Sequence, residues 1–452
     1  MAGPESLLGI DVGTAFTKAA LFEPVDGRYR LIARAQAHTS ASSHVYEGLG
    51  KACAQIEGLT GRQLFAGGEP LAGEVSAGRG VEGVAVAVSC YRPLQVLATN
   101  EEAAAATRSE RCQVHVLAGS SVRERVQQAT AVVWDAIVGA EAETEAALLY
   151  LGTPPAGPAA ISGDATAIRR GLAELAIKLA EEQVAGLADL GAAATEPLAT
   201  SSSALLELTQ LIGSRFGLRL AIADCGSSQT TLTHATPNQG GARVVLHDHA
   251  LLDVPTTHNG LSAMHEALQR ALAGCVAEPF SADLVVGTGA LTRFGRWGEP
   301  ALTLLNGIRP GGVLQFALDS AGIVSQIAAL ARAFPDEACQ AFEHDGLVAL
   351  GAAVCPRGNV KPGAKALEIG WRIDDQPEQL QEVKSGELVR IPLAPGRKAS
   401  LTLRPARQVD VGLNQPGVAA TAHIDGGRVG LMVDARDEAA KAERRPWEEA
   451  LA

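Results

Sequence analysis

The chain has 452 residues, of which 47% are hydrophobic and 19% are charged, and 38 Lys and Arg against 50 Asp and Glu give a formal net charge of −12. This length predicts about two to four domains, each with its own core, and the composition argues against long disordered, collagen-like or coiled-coil segments. The acidic balance argues against broad electrostatic binding to nucleic acid or to an anionic membrane.

The cysteines and the N-terminal residues indicate a compartment. The seven cysteines are far apart and include no C-x-x-C pair, so neither a disulfide framework nor a structural zinc site is predicted. The first residues lack the basic and apolar regions of a signal peptide. The sequence contains no run of about 18 apolar residues, so no membrane-spanning helix is predicted. We therefore expect a cytoplasmic protein without a membrane span and without a nucleic-acid partner.

Strands and helices alternate over the first half of the chain. The predicted strands are residues 7–12, 16–22, 31–35, 81–89, 113–118 and 146–151. The predicted helices are residues 48–64, 101–108, 122–137 and 164–187. This alternation predicts β-α-β units and a largely parallel sheet. The small, polar stretch 191–203 is predicted to end a first domain that covers residues 1–195.

The second half begins with another strand, turn and strand. Its predicted elements are helix 204–216, strand 218–223, a strand from residue 232, helix 262–272, strand 283–286 and a helix-rich stretch 323–354. They predict a second domain at residues 196–330 and a helical segment 331–360 that returns to the first domain. Short alternating runs predict a small all-β module at residues 361–435, followed by a charged, frayed helix at 436–452.

Two glycine turns carry the strongest functional signal. The first consists of Asp11, Gly13, Thr14, Thr17 and Lys18, and the second of Asp224, Gly226, Ser227, Ser228 and Thr230. Glycine lets the backbone come close to a ligand, and turn N–H groups with nearby hydroxyls form an anion nest. A carboxylate repels phosphate, so Asp11 and Asp224 are predicted to act through water bound to Mg²⁺. The repetition predicts a duplicated fold that holds a polyphosphate between the two turns.

A third motif, Gly287-Thr288-Gly289, follows a predicted strand. Its two glycines have no side chains, which would allow a base or a ribose to lie against the backbone. A dinucleotide site would need a third glycine at the start of a helix, but Ala290-Leu291-Thr292 follows instead. The position of the motif after the second glycine turn favours an adenosine site.

The order of these motifs resembles the actin/Hsp70/sugar-kinase ATPase superfamily. Within it, the chain most resembles the MutL (GlmL) proteins associated with coenzyme B12-dependent glutamate mutase, since LGIDVGTAFTKA at residues 8–19 matches their first turn, including Thr17 and Lys18. The resemblance extends more thinly over residues 6–360, and residues 346–353 resemble the small-residue hinge helix of the superfamily. It implies an α/β fold of two actin-like (ribonuclease H-like) lobes.

The resemblance also implies a function. We expect an ATP-binding and ATP-hydrolysing chaperone or reactivating factor of the MutL type, with ATP and Mg²⁺ as cofactors and a B12-dependent mutase as protein partner. Closure of the lobes on nucleotide would be passed to that partner. Asp11 and Asp224 are the candidate catalytic residues, because metal-bound water that they position could attack the γ-phosphate in line.

The second turn departs from the family pattern and leaves alternatives open. Gln229 replaces a hydroxyl residue of the relatives, Thr231 replaces an aspartate, and Gly152-Thr-Pro-Pro replaces a Gly-Gly pair. Hydrolysis and the identity of the partner are therefore open. A small-molecule kinase of the same fold and a non-catalytic actin-like scaffold or filament protein are the alternatives, and a homo-oligomer is compatible with each.

Several other polar residues have simpler explanations. Lys18 either reaches a γ-phosphate or faces solvent. No third convergent ligand for zinc accompanies the histidines His247, His249, His258 and His265. Cys225 is predicted to be a small buried residue that fills space, and Asp135 and Asp164 are predicted to be surface acids or helix caps. The basic pair Arg444-Arg445 is too short for a nucleic-acid tail.

Overall fold

The computed structural model describes residues 3–39, 44–73, 76, 78–98, 107–116, 131–135, 159–163, 165–237, 242–248, 258–276, 280–374 and 376–436. The chain divides into two compact units. The first comprises residues 1–208, 243–246 and 325–341, and the second comprises residues 209–242, 247–324 and 342–452. Among the described residues, no helix has both the length and the apolar character needed to cross a membrane.

The described α-helices are α1 (Val45–Thr60), α2 (Ala165–Gln183), α3 (Leu187–Ala193), α4 (Ser201–Phe216), α5 (His258–Cys275), α6 (Gly298–Ile308), α7 (Val324–Leu330) and α8 (Pro335–His344). Single 3₁₀ turns lie at Thr107–Ser109 and Ala290–Arg293. Most helix ends differ from the sequence prediction by several residues, and α6 was not predicted.

The strands of the first half are β1 (Leu7–Val12), β2 (Phe16–Val25), β3 (Arg28–His38), β4 (Phe65–Ala66), β5 (Glu69–Pro70), β6 (Gly83–Val88), β7 (Leu94–Ala98), β8 (Cys112–Val116), β9 (Ala131–Asp135), β10 (Ala159–Gly163) and β11 (Ala199–Thr200). Those of the second half are β12 (Leu220–Cys225), β13 (Gln229–Ala235), β14 (Ala242–Asp248), β15 (Leu284–Gly289), β16 (Gly312–Asp319), β17 (Leu347–Cys355), β18 (Lys365–Ile373), β19 (Gln379–Lys384), β20 (Leu388–Ile391), β21 (Lys398–Pro405), β22 (Ala420–Asp425) and β23 (Gly430–Asp434).

The main sheet of the first unit has the strand order β11-β6-β1-β2-β3. β1, β2 and β3 are antiparallel neighbours, whereas β6 is parallel to β1 and to β11. β1 is central and, apart from Asp11, apolar, and each of its residues is buried. α1 packs on this sheet and ends at Gly61, whose positive φ of 73° suits glycine. The predicted strands 7–12 and 16–22 are thus confirmed, and they form a hairpin.

A second sheet of the first unit, β10-β9-β7-β8, is inserted between β6 and β11 and is parallel throughout. The helix predicted at 122–137 is wrong at residues 131–135, which form β9, because Val132, Val133 and Trp134 favour a strand. The rest of that helix, most of the helix at 101–108 and the strand at 146–151 lie outside the described residues.

An eight-stranded sheet lies largely in the second unit, in the order β14-β13-β12-β15-β16-β17-β23-β20. β12 is antiparallel to β13 and parallel to β15, which is parallel to β16. The order of the first five strands therefore repeats that of the first unit's main sheet: a hairpin strand at the centre, its antiparallel partner on one side and two parallel strands on the other. A duplicated fold of two lobes stays a prediction.

The helix predicted over residues 346–353 is wrong. Residues Leu347–Cys355 form β17, which pairs with β16 on one side and with β23 on the other. Gly351 has a φ of 137°, and the carbonyl oxygen of Gly430 occupies the place that a Cβ would need. The small residue thus lets two strands approach closely and does not form a hinge helix. A continuous apolar run of this length is compatible with a buried strand or a buried helix.

The described part of residues 365–434 forms strands joined by turns and loops, and these strands belong to two sheets. β19, β18, β21 and β22 make an antiparallel sheet, whereas β20 and β23 join the eight-stranded sheet. Leu367 and Leu401 of the small sheet share one hydrophobic core with Val354 and Val433 of the large sheet. An independent module at 361–435 therefore stays a prediction, and residues 437–452 of the predicted tail lie outside the described part of the chain.

Candidate functional site

The turn between β1 and β2 is closed by Gly13. Its N–H donates to the carbonyl oxygen of Phe16 at 3.0 Å. A Cβ on Gly13 would lie 2.9 Å from the same oxygen, so a larger residue would distort the turn. The exposed Thr14 follows at the tip, and its hydroxyl donates to the carbonyl of Ser89 at 3.3 Å. The turn therefore presents Thr14 and the adjoining backbone at the end of a rigid hairpin.

Asp11 lies at the end of β1 and is almost fully buried, with both carboxylate oxygens held. Lys18 Nζ donates to Oδ2 at 3.1 Å, and the hydroxyl of Ser201 donates to Oδ1 at 3.0 Å. Ser201 is the first residue of α4, and the partial positive charge of a helix N-terminus stabilises a nearby carboxylate. The two hydrogen bonds thus fix the orientation of the Asp11 side chain.

Lys18 and Thr17 are engaged within the protein. Lys18 pairs with Asp11, its cross-strand partner, and its Nζ lies 3.4 Å from Ser325 Oγ. Thr17 is buried, and its hydroxyl lies 3.1 Å from that of Thr39, which donates to the Gly13 carbonyl at 2.7 Å. Thr17 therefore supports the turn from inside. A phosphate contact for either residue stays a prediction.

The turn between β12 and β13 repeats this geometry. The N–H of Gly226 donates to the carbonyl of Gln229 at 2.8 Å, and a Cβ on Gly226 would lie 2.9 Å from that oxygen. Ser227 and Ser228 are half-buried at its tip. Thr230 is buried like Thr17, and its side chain hydrogen-bonds Cys225.

Cys225 is a buried residue of β12, as predicted. Burial raises the pKa of its thiol well above the usual value, with a smaller contribution in the same direction from the neighbouring Asp224 carboxylate. The thiol is therefore protonated at neutral pH and is not a nucleophile.

The structure brings the Gly-x-Gly motif next to the second turn. β12 and β15 run in parallel register, with Asp224 opposite Thr288 and Cys225 opposite Gly289. Gly289 has a φ of 70° and a ψ of −130°, and a Cβ there would lie 2.8 Å from Asp224 Oδ1. Only glycine adopts this backbone conformation easily, and only glycine leaves room for the aspartate.

Gly287 and Thr288 are explained by packing inside the protein. A Cβ on Gly287 would meet Leu291 at 2.8 Å and Leu304 at 3.1 Å, so its missing side chain makes room for side chains of the core. The buried Thr288 hydroxyl donates to Asp319 Oδ2 at 2.7 Å. An adenosine contact for these two residues stays a prediction.

Sequence reasoning missed Asp319. This fully buried carboxylate accepts the N–H groups of Ile323 and Val324 at 3.0 and 2.9 Å, at the start of α7, in addition to the Thr288 hydroxyl. An aspartate shortly before an apolar helical run is a cap signal that would have singled it out.

Sequence reasoning also missed Glu110, for which no local motif exists. The carboxylate is 4% exposed and accepts hydrogen bonds from the hydroxyls of Tyr91 at 2.6 Å, Thr200 at 2.7 Å and Ser202 at 2.9 Å. Burial raises the pKa of Glu110 from 4.5 to about 7, although the three hydrogen bonds act in the opposite direction.

The raised pKa of Glu110 leads to a prediction about the free energy of unfolding. Because the pKa of Glu110 is raised in the folded state, its contribution is complete below pH 4.5 and is lost as the pH rises to 7. Glutamine does not titrate, so the difference in unfolding free energy between Glu110→Gln and the wild type should shift by roughly 3 kcal/mol in favour of the variant as the pH rises from 4.5 to 7. Urea unfolding of both proteins at pH 4.5, 6 and 7.5 would measure the difference, and an unchanged difference would contradict the prediction.

The remaining candidates divide into described and undescribed residues. His265 is buried and lies 2.7 Å from the Thr303 hydroxyl and 2.6 Å from the Gln269 amide, as a hydrogen-bonded core residue does. In the described part of the chain, no group of three His, Cys, Asp or Glu residues could hold a metal ion directly. The side chains of His247, His258 and Asp135, and the whole of His249, Asp164, Arg444 and Arg445, lie outside the description.

The residues of the second turn fit a polar ligand. Within the described residues, the side-chain oxygen of Gln229 is buried and has no hydrogen-bond donor. An unpaired buried oxygen costs about 1–3 kcal/mol, and a hydroxyl or a metal-bound water of a ligand would supply the missing donor. Each turn carries one aspartate, and a hydrated Mg²⁺ held through water stays a prediction.

Comparison with known proteins confirms the resemblance seen in the sequence: residues 7–138 match the family model described as MutL protein. This match covers the chain from β1 to β9 and includes the first glycine turn. No curated protein matches the chain.

Solved structures give only weak similarities. Nucleotide-free acetone carboxylase is 10% identical with a TM-score of 0.38, covering 85% of this chain and 81% of that one. Component A of (R)-2-hydroxyglutaryl-CoA dehydratase from Acidaminococcus fermentans is 10% identical with a TM-score of 0.31, covering 75% and 98%. The ethanolamine utilization protein EutJ from Carboxydothermus hydrogenoformans is 10% identical with a TM-score of 0.29, covering 73% and 90%. Similarities this weak do not identify a function.

Proposed function

We propose that the protein binds Mg·ATP through its two glycine turns and acts as a nucleotide-dependent chaperone or reactivating factor of the MutL type. The observation that carries the proposal is the repeated turn. Gly13 and Gly226 close their hairpins with the same hydrogen bond, and an aspartate is the last residue but one of the preceding strand in each case. The MutL match of residues 7–138 covers the first of these turns.

Each turn supplies different groups. In the first unit, Thr14 and the backbone around Gly13 would bind phosphate oxygens, and Asp11, fixed by Lys18 and Ser201, would accept hydrogen bonds from metal-bound water. Mg²⁺, when bound, would neutralise phosphate charge and polarise water.

In the second unit, Ser227, Ser228 and Gln229 would bind phosphate or metal-bound water, and Asp224 would orient that water beside Gly289. Gln229 and Thr231 stand where the relatives have a hydroxyl and a carboxylate, so one acidic group fewer is present to orient an attacking water. We therefore expect slow hydrolysis that a partner accelerates.

The proposed partner is a B12-dependent mutase, and the proposed location is the cytoplasm. The wide spacing of the seven cysteines in the sequence is the support for this location. Binding of nucleotide would change the conformation of the protein and thereby the state of the partner.

Calorimetry with ATP and ADP, with and without Mg²⁺, tests the proposal directly. We expect binding that depends on Mg²⁺, and ATP turnover that rises when an inactivated B12-dependent mutase is added. Absence of nucleotide binding would overturn the proposal. Phosphorylated product in a screen of sugars and acids would instead identify a kinase, and nucleotide-dependent pelleting on sedimentation would identify a filament protein.

A further inference from the structure

Glu110 joins three segments of the first unit that are far apart in sequence. Its carboxylate receives the hydroxyl of Tyr91, just beyond β6, and the hydroxyls of Thr200 and Ser202, at the junction of β11 and α4. Tyr91 is fixed in addition by Arg111, whose Nη1 donates to the Tyr91 carbonyl at 3.1 Å. The groups involved are almost fully buried, so little solvent competes for these hydrogen bonds.

The same junction holds Asp11. Thr200 and Ser202 contact Glu110, whereas Ser201, between them in sequence, donates its hydroxyl to Asp11 Oδ1. Thr200 also accepts the N–H of Ser203 at 3.2 Å, as the N-cap of α4 does. Any movement of residues 200–202 away from Glu110 would therefore displace the Ser201 hydroxyl from Asp11.

We propose that Glu110 is a positioning residue for Asp11: it fixes Thr200 and Ser202 so that the Ser201 hydroxyl between them holds the Asp11 carboxylate in one orientation. Glu110 itself makes no contact with a ligand in this proposal. A carboxylate that is held by Lys18 on one oxygen and by Ser201 on the other is preorganised to receive metal-bound water, and loss of either partner leaves it free to rotate.

This inference rests on the proposed function, and a double-mutant cycle tests it separately. Affinity for Mg·ATP would be measured by calorimetry for the wild type, Ser201→Ala, Glu110→Ala and the double variant. Partners that orient a metal ligand typically contribute 10–100-fold in affinity, so we expect each single variant to bind about tenfold more weakly. Because Glu110 and Ser201 act on Asp11 by the same route, the double variant should bind Mg·ATP no more weakly than Ser201→Ala alone.

Two further variants make the test specific. Glu110→Gln should bind Mg·ATP within about twofold of the wild type, since the amide oxygen can accept the Thr200 and Ser202 hydroxyls and the amide nitrogen can donate to Tyr91. Glu207→Gln is the matched control on the outer surface of the same helix, where Glu207 pairs with Arg332, and it should bind normally. If Glu110→Ala fails to fold, Ser202→Ala replaces it in the cycle.

The outcomes separate the two proposals. Normal binding by Ser201→Ala, or losses that multiply in the double variant, would overturn the positioning role while Mg·ATP binding by the wild type stands. Absence of Mg·ATP binding by the wild type would overturn the proposed function and this inference with it.

Discussion

Asp11→Asn and Asp224→Asn are each expected to weaken the binding of Mg·ATP by about 10–100-fold, the range typical for groups that orient a bound metal. Asparagine keeps the size of the side chain but removes the charge that attracts a hydrated cation. In the presence of EDTA, neither substitution should weaken ATP binding, because a carboxylate repels the phosphates of metal-free ATP. In Asp11→Asn, Lys18 also loses its carboxylate partner, and its ammonium group can then attract phosphate.

Two matched controls distinguish this effect from a general loss of charge. Asp26 in the first unit and Asp374 in the second are exposed aspartates with positive φ values of 52° and 50°, a conformation that asparagine tolerates well. Asp26→Asn and Asp374→Asn should bind Mg·ATP like the wild type. Equal losses with and without Mg²⁺ in the Asp11 or Asp224 variant would show that these aspartates do not act through a metal.

Asp434→Ala is expected to lower the free energy of unfolding by about 3–5 kcal/mol, the cost of leaving one partner of a buried ion pair uncompensated. Arg436 donates through Nε and Nη2 to the two Asp434 oxygens at 2.8 and 3.0 Å, and through Nη2 to Asn306 Oδ1 at 2.8 Å. The side chains of the pair are 0% and 1% exposed, so water cannot solvate the guanidinium once the carboxylate is removed.

Urea unfolding followed by circular dichroism would measure this loss. Asp425→Ala is the matched control, since Asp425 lies 3.5 Å from Lys398 in an exposed pair and should contribute less than about 1 kcal/mol. A double variant in which Asp434→Leu and Arg436→Met replace the pair together should recover much of the stability, because no isolated charge is then buried. Similar losses in Asp434→Ala and Asp425→Ala would contradict the prediction.

The elements that were predicted well depend on local patterns. β1 is a short apolar run that ends at an Asp-x-Gly turn, and β2 resumes the run after it, so the hairpin and its position at Gly13 follow from neighbours in the chain. The second turn at Gly226 has the same local signals. In contrast, the segment of β17 resembles a small-residue hinge helix in sequence but forms a strand, and a continuous apolar run lacks the periodicity that would separate a strand from a helix.

In the candidate site, too, some features follow from local sequence and others only from the tertiary structure. The sequence alone identified Asp11, Asp224 and the turn glycines, because each turn needs those residue types at a fixed local spacing. Only the tertiary structure showed that Thr17 and Thr230 face the interior and that Gly287 makes room for leucines. A side chain's direction depends on what packs against its strand, and the local pattern does not contain that information.

By itself, the sequence determined the two glycine turns, the strand–turn–strand start of each half and the resemblance to MutL proteins. The tertiary structure decided which carboxylates are held and by what. Glu110 meets Thr200 across 90 residues of sequence and Asp319 meets Thr288 across 31. The physical reason is that turns are set by the conformational preferences of a few adjacent residues, whereas a buried carboxylate needs donors that folding brings together from distant segments.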